Sequence, residues 1–257
     1  MAGTCRNEAK AAALESEGIE PVLFDGGAPI PLSAFAGTTH LLASIPPGPD
    51  DPALSCHAAD IAAMPELAWI GYLSTTSVYG VDDGSPVDEE TPCLPASDRG
   101  RRRLAAERAW GSLPLPAHIF RLSGIYGPGR SVVDAIRTGR AQRLVKPGHA
   151  FNRIHVADIA TTLRASMARP VPGRIYNLAD ELPAPSADLV TFACGLMGIE
   201  PPPEIPFEQA DLSPMAQAFW AENKRVGNRR IKDELGIRLA YPTYREGISA
   251  ILAAERT

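Results

Sequence analysis

Trp69-Ile70-Gly71-Tyr72-Leu73-Ser74-Thr75-Thr76-Ser77-Val78-Tyr79-Gly80 is the stretch on which the fold turns. Its first half, Trp69 to Ser74, is an apolar run of strand length, and hydroxyl side chains crowd the end of it. Further strand candidates flank it at Pro21-Val22-Leu23-Phe24, Thr39 to Ile45 and His118 to Leu122. Helical stretches separate them, among them the Ala-rich Asn7 to Glu17, with Asn7 placed to cap it and Gly18 to end it, and Ser97 to Trp110. Strands alternating with helices predict a doubly wound α/β fold, a parallel sheet covered on both faces.

Beyond Tyr126-Gly127-Pro128-Gly129 the pattern predicts a helix over Val132 to Thr138, a strand over Asn152 to His155, a helix over Val156 to Met167, and a return to the sheet at Ile175-Tyr176-Asn177. The last third changes character. Pro183, Pro185 and Pro201-Pro202-Pro203 punctuate helices expected at Ala187 to Met197, Met215 to Asn223, Asn228 to Leu235 and Tyr244 to Glu255. This gives a sheet-based domain over 1–176, with 128–148 contributing to the substrate side, and a small, mostly helical cap over 177–257.

Composition removes several classes of function. A net charge of -5 offers no broad attraction to nucleic acid or anionic lipid, and the dense basic run Arg99 to Arg103 is short. Cys5, Cys56, Cys93 and Cys194 lie far apart without a Cys-x-x-Cys pair, so neither a metal knuckle nor a disulfide framework is expected. No apolar run reaches the roughly 18 residues of a membrane span, and Met1-Ala2-Gly3-Thr4-Cys5-Arg6 has no signal-peptide core. A bacterial-type cytoplasmic location is the expectation.

Ser74-Thr75-Thr76-Ser77-Val78-Tyr79-Gly80, followed by Pro95-Ala96-Ser97-Asp98-Arg99-Gly100-Arg101-Arg102-Arg103, resembles the active-site stretch of extended short-chain dehydrogenases/reductases of the NAD-dependent epimerase/dehydratase family. The resemblance runs from Gly3 onward. In that family a Ser or Thr bonds the substrate oxygen, a Tyr transfers the proton, and a Lys four residues on lowers the Tyr pKa and holds the nicotinamide ribose. Anchored on Val78-Tyr79-Gly80, the Ser/Thr position falls on Thr75, while Arg99 and Arg103 stand where Tyr and Lys are expected. The chain is thus similar to the atypical subset in which Arg-x-x-x-Arg replaces Tyr-x-x-x-Lys. Arginine, with a pKa above roughly 12, is no general acid near neutrality. Thr75, Arg99 and Arg103 are the catalytic candidates the resemblance leaves. For Thr75 the alternative is a strand-end hydroxyl bonded to backbone; for the arginines it is a solvated helix face, with Arg103 and Glu107 as an i,i+4 pair. Tyr79 and Tyr126 are candidate substitute acids.

The same resemblance implies NADP or NAD as cofactor. It places cofactor contacts at Arg6, which suits a 2′-phosphate, at Asp25 and Gly26 after the third family strand, at Ser44, Ile45 and Pro46 after the fourth, at Ser74 and Arg103, and at Leu122, Ser123 and Gly124. Substrate contacts are expected at Thr76, Ser77, Arg153, Asn223 and Arg225, with Asp158 helping to begin its helix and His155 packed. The family's opening strand and Gly-x-x-Gly-x-x-Gly turn have no counterpart before Asn7. Gly3 to Arg6 reads as the end of the second strand, so about 30 residues, one strand-helix unit, are expected upstream. The implied function is an NAD(P)-dependent oxidoreductase, epimerase or dehydratase acting on a carbonyl or hydroxyl compound, nucleotide sugars included, with homodimer pairing as in many relatives. Its rivals are a catalytically idle dinucleotide- or metabolite-binding protein and a nonfunctional fragment.

Overall fold

The computed structural model describes residues 1–255. In chain order its first elements are β1 (Ala2–Cys5), α1 (Glu8–Ser16), β2 (Glu20–Leu23), β3 (His40–Ala43), α2 (Pro52–Ala62), β4 (Trp69–Thr75), β5 (Pro86–Val87), α3 (Asp98–Gly111) and β6 (His118–Leu122). There follow β7 (Gly124–Tyr126), α4 (Val132–Arg137), β8 (Arg143–Val145), β9 (Arg153–His155), α5 (Val156–Ala168), β10 (Ile175–Leu178), α6 (Ser186–Met197), β11 (Glu204–Pro206), α7 (Pro214–Ala221), β12 (Arg225–Val226), α8 (Arg229–Leu235) and α9 (Tyr244–Ala254). The main sheet is parallel and four-stranded, in the order β10-β6-β4-β3, which makes this a Rossmann-like α/β fold. β1 and β2 form a separate parallel pair in the register Ala2↔Glu20 to Cys5↔Leu23.

The chain clusters into two compact units, and the division cuts β4 after Leu73 and β6 after Ile119. In the first unit, which holds residues 1–73, 102–119 and 172–174, β4 is buried from Trp69 through Tyr72. Trp69 stacks on His118, whose Nδ1 bonds the Ile70 carbonyl at 2.9 Å. α3 turns Arg103, Ala106, Glu107 and Trp110 inward at helical spacing, and Trp110 Nε1 donates to Asp51 at 3.0 Å. Asp51 also caps α2 by accepting from the Leu54 amide, so one carboxylate fixes two elements. Asn7 caps α1 as its sequence position predicts, yet α1 buries no residue.

The second unit comprises residues 74–101, 120–171 and, among the described residues, 175–255. Short parallel pairs β7–β9, β8–β11 and β5–β12 brace it. Its main apolar cluster joins Tyr126 and Val133 to α6 and α9 through Leu189, Ala193, Tyr244, Ile248 and Ile251. His155, not Asp158, caps α5: its Nδ1 accepts from the Ala157 amide at 3.2 Å. The buried Asp158 carboxylate accepts instead from the amides of Ala240 (2.7 Å) and Tyr241 (3.1 Å), tying the approach to α9 onto α5. Asn223 and Arg225 also differ from expectation. α7 stops at Ala221, so Asn223 lies in the connection to β12 and Arg225 within β12. Among the described residues no helix is long and apolar enough to cross a membrane, and no cluster of metal-ligating side chains forms.

Candidate functional site

Thr75 ends β4, where its hydroxyl turns onto its own loop, accepting from the Ser77 amide at 3.3 Å and donating to Ser77 Oγ at 3.5 Å. That bond starts the single turn Thr76–Val78 and leaves Thr75 half-buried. Arg99, in the first turn of α3, is exposed. Arg103 behaves oppositely. In the first unit its Nη1 donates to the Tyr72 hydroxyl (3.0 Å) and to the Leu73 carbonyl (2.9 Å), with the guanidinium 5.6 Å from the centre of the Tyr72 ring. A spacing of four placed Arg99 and Arg103 on one face, whereas the inward stripe begins at Gly100, one residue later.

Two tyrosines of the second unit are held as structural groups. The Tyr79 hydroxyl donates to Asn177 Oδ1 at 2.6 Å and accepts from Arg121 Nη1 at 3.1 Å, and burial pushes its pKa up to about 12 against the pull of Arg121. Burial, reinforced by Asp180 and Asp158, raises Tyr126 as well, and its hydroxyl donates to the Thr243 carbonyl at 3.3 Å. Neither phenol is poised to give up a proton near neutral pH.

In the first unit, Arg6, Asp25, Gly26 and Ser44–Pro46 follow the carboxyl ends of β1, β2 and β3. Arg6, Asp25 and Ser44 are exposed, and Asp25 Oδ1 accepts from the Gly27 amide at 2.8 Å, which leaves its other oxygen for a ligand. In the second unit, Ser74 and Thr76 are buried, Ser77 is half-buried, Leu122 closes β6 and Ser123 follows it. The Ser123 hydroxyl is buried with no hydrogen-bond partner among the described residues. The first unit thus presents exposed polar groups at its strand ends, and the second a buried hydroxyl without a partner beside Gly124. The β1–α1 turn, Arg6-Asn7, carries no glycine, and Asn7 itself caps the helix, so that turn is no pyrophosphate cradle.

The second unit also contains a cavity of about 670 Å³. Of the residues singled out from sequence, it brings together Gly124, Tyr126 and Arg153. The parallel register pairs Gly124 and Arg153 directly across β7 and β9. Ile125, Leu144, Phe151, Leu189, Trp220 and Ile248 make an apolar wall, and Arg130, Arg140 and Arg153 supply positive charge. Arg130 and Arg140 are exposed; Arg153 is anchored, with Nη1 donating to the carbonyls of Phe151 (2.9 Å) and Ala184 (3.0 Å). Burial draws its pKa down to about 10, so it stays a cation throughout the neutral range. Asn223 and Arg225 are absent from the lining. Asn223 Oδ1 accepts from the Ala150 amide and from Arg225, both anchoring the loop at Gly148.

Sequence reasoning missed the aromatic pair Phe219-Trp220, which faces this cavity from α7, and the buried Asp180, whose amide donates to the Arg153 carbonyl. The aromatic pair was visible within a predicted helix. Asp180 had no local signature, because only the folding of β9 against the segment after β10 gives it a cationic neighbour.

No family model and no curated protein matches the sequence. Solved structures do. A functionally unknown conserved protein from Silicibacter pomeroyi is 49% identical, with a TM-score of 0.91 over 99% of this chain and 90% of its own. A Methylobacillus flagellatus structure provisionally described as an NAD-dependent epimerase/dehydratase is 24% identical, with a TM-score of 0.71 over 100% and 98% of the two chains. A Bacillus cereus UDP-glucuronic acid 4-epimerase in complex with NAD is 14% identical, with a TM-score of 0.75 over 100% of this chain and 91% of its own.

Proposed function

Since this chain belongs to the same family as the conserved Silicibacter pomeroyi protein, we propose that it binds NAD(P) and acts on an anionic carbonyl or hydroxyl compound of the nucleotide-sugar class. The observation that carries this reading is the cavity of the second unit, where a half-buried, anchored arginine and an aromatic wall suit a phosphate-bearing ligand with a planar ring. The fold it shares with the Bacillus cereus epimerase agrees with it. The candidate cofactor contacts are Arg6, Asp25, Gly26, Ser44, Ile45 and Pro46 in the first unit and Ser74, Leu122, Ser123 and Gly124 in the second. When bound, the cofactor supplies hydride exchange.

The protein's own part is positioning. Thr75 would redirect its hydroxyl from Ser77 to the reacting oxygen, with Thr76 and Ser77 beside it. Arg99, exposed and always charged, would stabilise developing negative charge. Arg103 clamps the Leu73 carbonyl and so fixes the end of β4, with its unengaged nitrogens left for a ribose or phosphate oxygen. With Tyr79 and Tyr126 both locked, the proton passes to or from water. A second reading, an idle dinucleotide binder, draws on the same locked phenols and the two arginines.

Titration with NADPH, followed by its fluorescence, checks the cofactor. Saturable enhancement is expected, weakened about tenfold in Arg6→Ala, the order of one lost charged hydrogen bond. A flat titration with both NADPH and NADH overturns the reading. A change in absorbance at 340 nm that depends on UDP-glucose or UDP-glucuronic acid and is lost in Thr75→Ala separates the enzyme from the idle binder.

A further inference from the structure

We propose that Asp180 sets the charge of the second unit's cavity through Arg153, making it an anion site whose grip weakens when Asp180 is ionised; this rests on the reading of that cavity as the substrate site. Asp180 follows β10 and is 2% exposed. Its amide donates to the Arg153 carbonyl at 2.6 Å, and neither carboxylate oxygen meets a donor at full hydrogen-bond geometry, although the Leu182 amide lends partial support. A buried carboxylate so poorly bonded is costly as an anion. The Arg153 charge is its chief compensation. Burial prevails, and the carboxyl is pushed up to about 7.

The surrounding charges are otherwise settled. Arg153 faces Tyr126 on β7, Tyr244 on α9 and Asp188 on α6. Tyr126 also faces Asp158 and Glu246, but Asp158 is satisfied by two amides and Glu246 by the cap of α9. Glu181, next to Asp180, is paired with Lys232 at 2.6 Å. Asp180 is therefore the member of the cluster whose charge changes near neutral pH. Protonated, it leaves Asp188 as the remaining carboxylate acting on Arg153, and the cavity wall is more positive; ionised, it cancels more of that charge. Linkage makes the effect reciprocal: an anion entering the cavity must raise the proton affinity of Asp180, so binding takes up a proton. Asp180 acts through Arg153 and is a positioning residue.

Two probes whose own charge is constant between pH 6 and 8 test this: UDP-glucose by calorimetry in buffers of different ionisation enthalpy, and inorganic sulfate by the rise it gives in Tm. The wild-type protein is expected to bind both about tenfold more weakly at pH 8 than at pH 6, and to take up a fraction of a proton per UDP-glucose at pH 7.5. Asp180→Asn should abolish both the pH slope and the proton uptake. Arg153→Gln should lose affinity at both pH values, with Arg153→Lys retaining the slope should the glutamine variant not fold. If sulfate shows the slope while UDP-glucose does not bind, the nucleotide-sugar reading falls and the anion site stands. A wild-type protein with no slope, an Asp180→Asn variant that keeps it, or no response to either anion overturns the proposal.

Discussion

Gly80 occupies a place where no side chain fits. Its φ of +69° lies in the left-handed region, and a Cβ there would come within 1.9 Å of the Leu94 carbonyl oxygen. Both penalties act together, so Gly80→Ala should cost about 3 kcal/mol or more, read as a lower urea midpoint with unchanged slope. The neighbouring Tyr79 explains the need for so tight a turn. Its ring is buried and its phenol joins Asn177 to Arg121, while the Asn177 amide donates to Glu89 at 2.8 Å. Val78-Tyr79-Gly80, the anchor from which Thr75 was located, is in this chain a device for turning away from the end of β4 with the Tyr79 phenol satisfied. Asp180 is the converse case, a residue left unsatisfied in the same unit.

At the scale of elements, α9 shows how close packing is written into a helix. Gly247 lies against Tyr126, where a Cβ would sit 2.2 Å from the phenolic oxygen. Gly247→Ala is expected to destabilise by about 2 kcal/mol through overpacking, and Tyr126→Phe to recover part of it; a double-mutant cycle in denaturant should give a coupling of about 1 kcal/mol, and additive effects would reject the contact. Periodicity revealed most elements of this kind. α3, α5, α6 and α9 fall within two residues of their predicted bounds, and β6 matches its own. β5, β7, β8, β11 and β12 were not legible, because strands of two or three residues are too short for alternation to register and exist only through their partners. α2 went unnamed although Asp51-Pro52, a cap followed by proline in the first turn, marks its start. The candidate site divides in the same way. Arg153 could be found because the family resemblance reaches its segment, and Asp180 could not, because its meaning depends on a neighbour 27 residues distant in the chain.

For the whole molecule these local environments combine into a pH profile of stability. Burial lowers the pKa of His118, His149 and His155 below the ordinary 6.5, and the Nδ1 of His155 must stay unprotonated to cap α5. In the unfolded chain these rings take up protons from about pH 6.5 downward, so their contribution is present above that pH and is lost as the pH falls through the folded values. Asp180 has the opposite sign. Its folded carboxyl holds its proton until about pH 7 while the unfolded one gives it up near 3.8, so stability declines with rising pH between those values, by on the order of 4 kcal/mol in all. Glu89, raised chiefly by burial, adds to this decline despite its pairing with Arg230. Below pH 6.5 the three histidines and the two carboxyls oppose one another, and from there to about 7.5 the Asp180 decline remains. A Tm that falls between pH 6.5 and 7.5 is therefore expected. Asp180→Asn should remove that fall, and His155→Asn, which keeps a capping oxygen without a titrating ring, should lessen the loss of stability in acid. A profile that rises monotonically from pH 5 to 8 in the wild-type protein would mean that the Asp180 carboxyl is ionised throughout, and that Arg153 is neutralised at every pH at which the cavity could bind an anion.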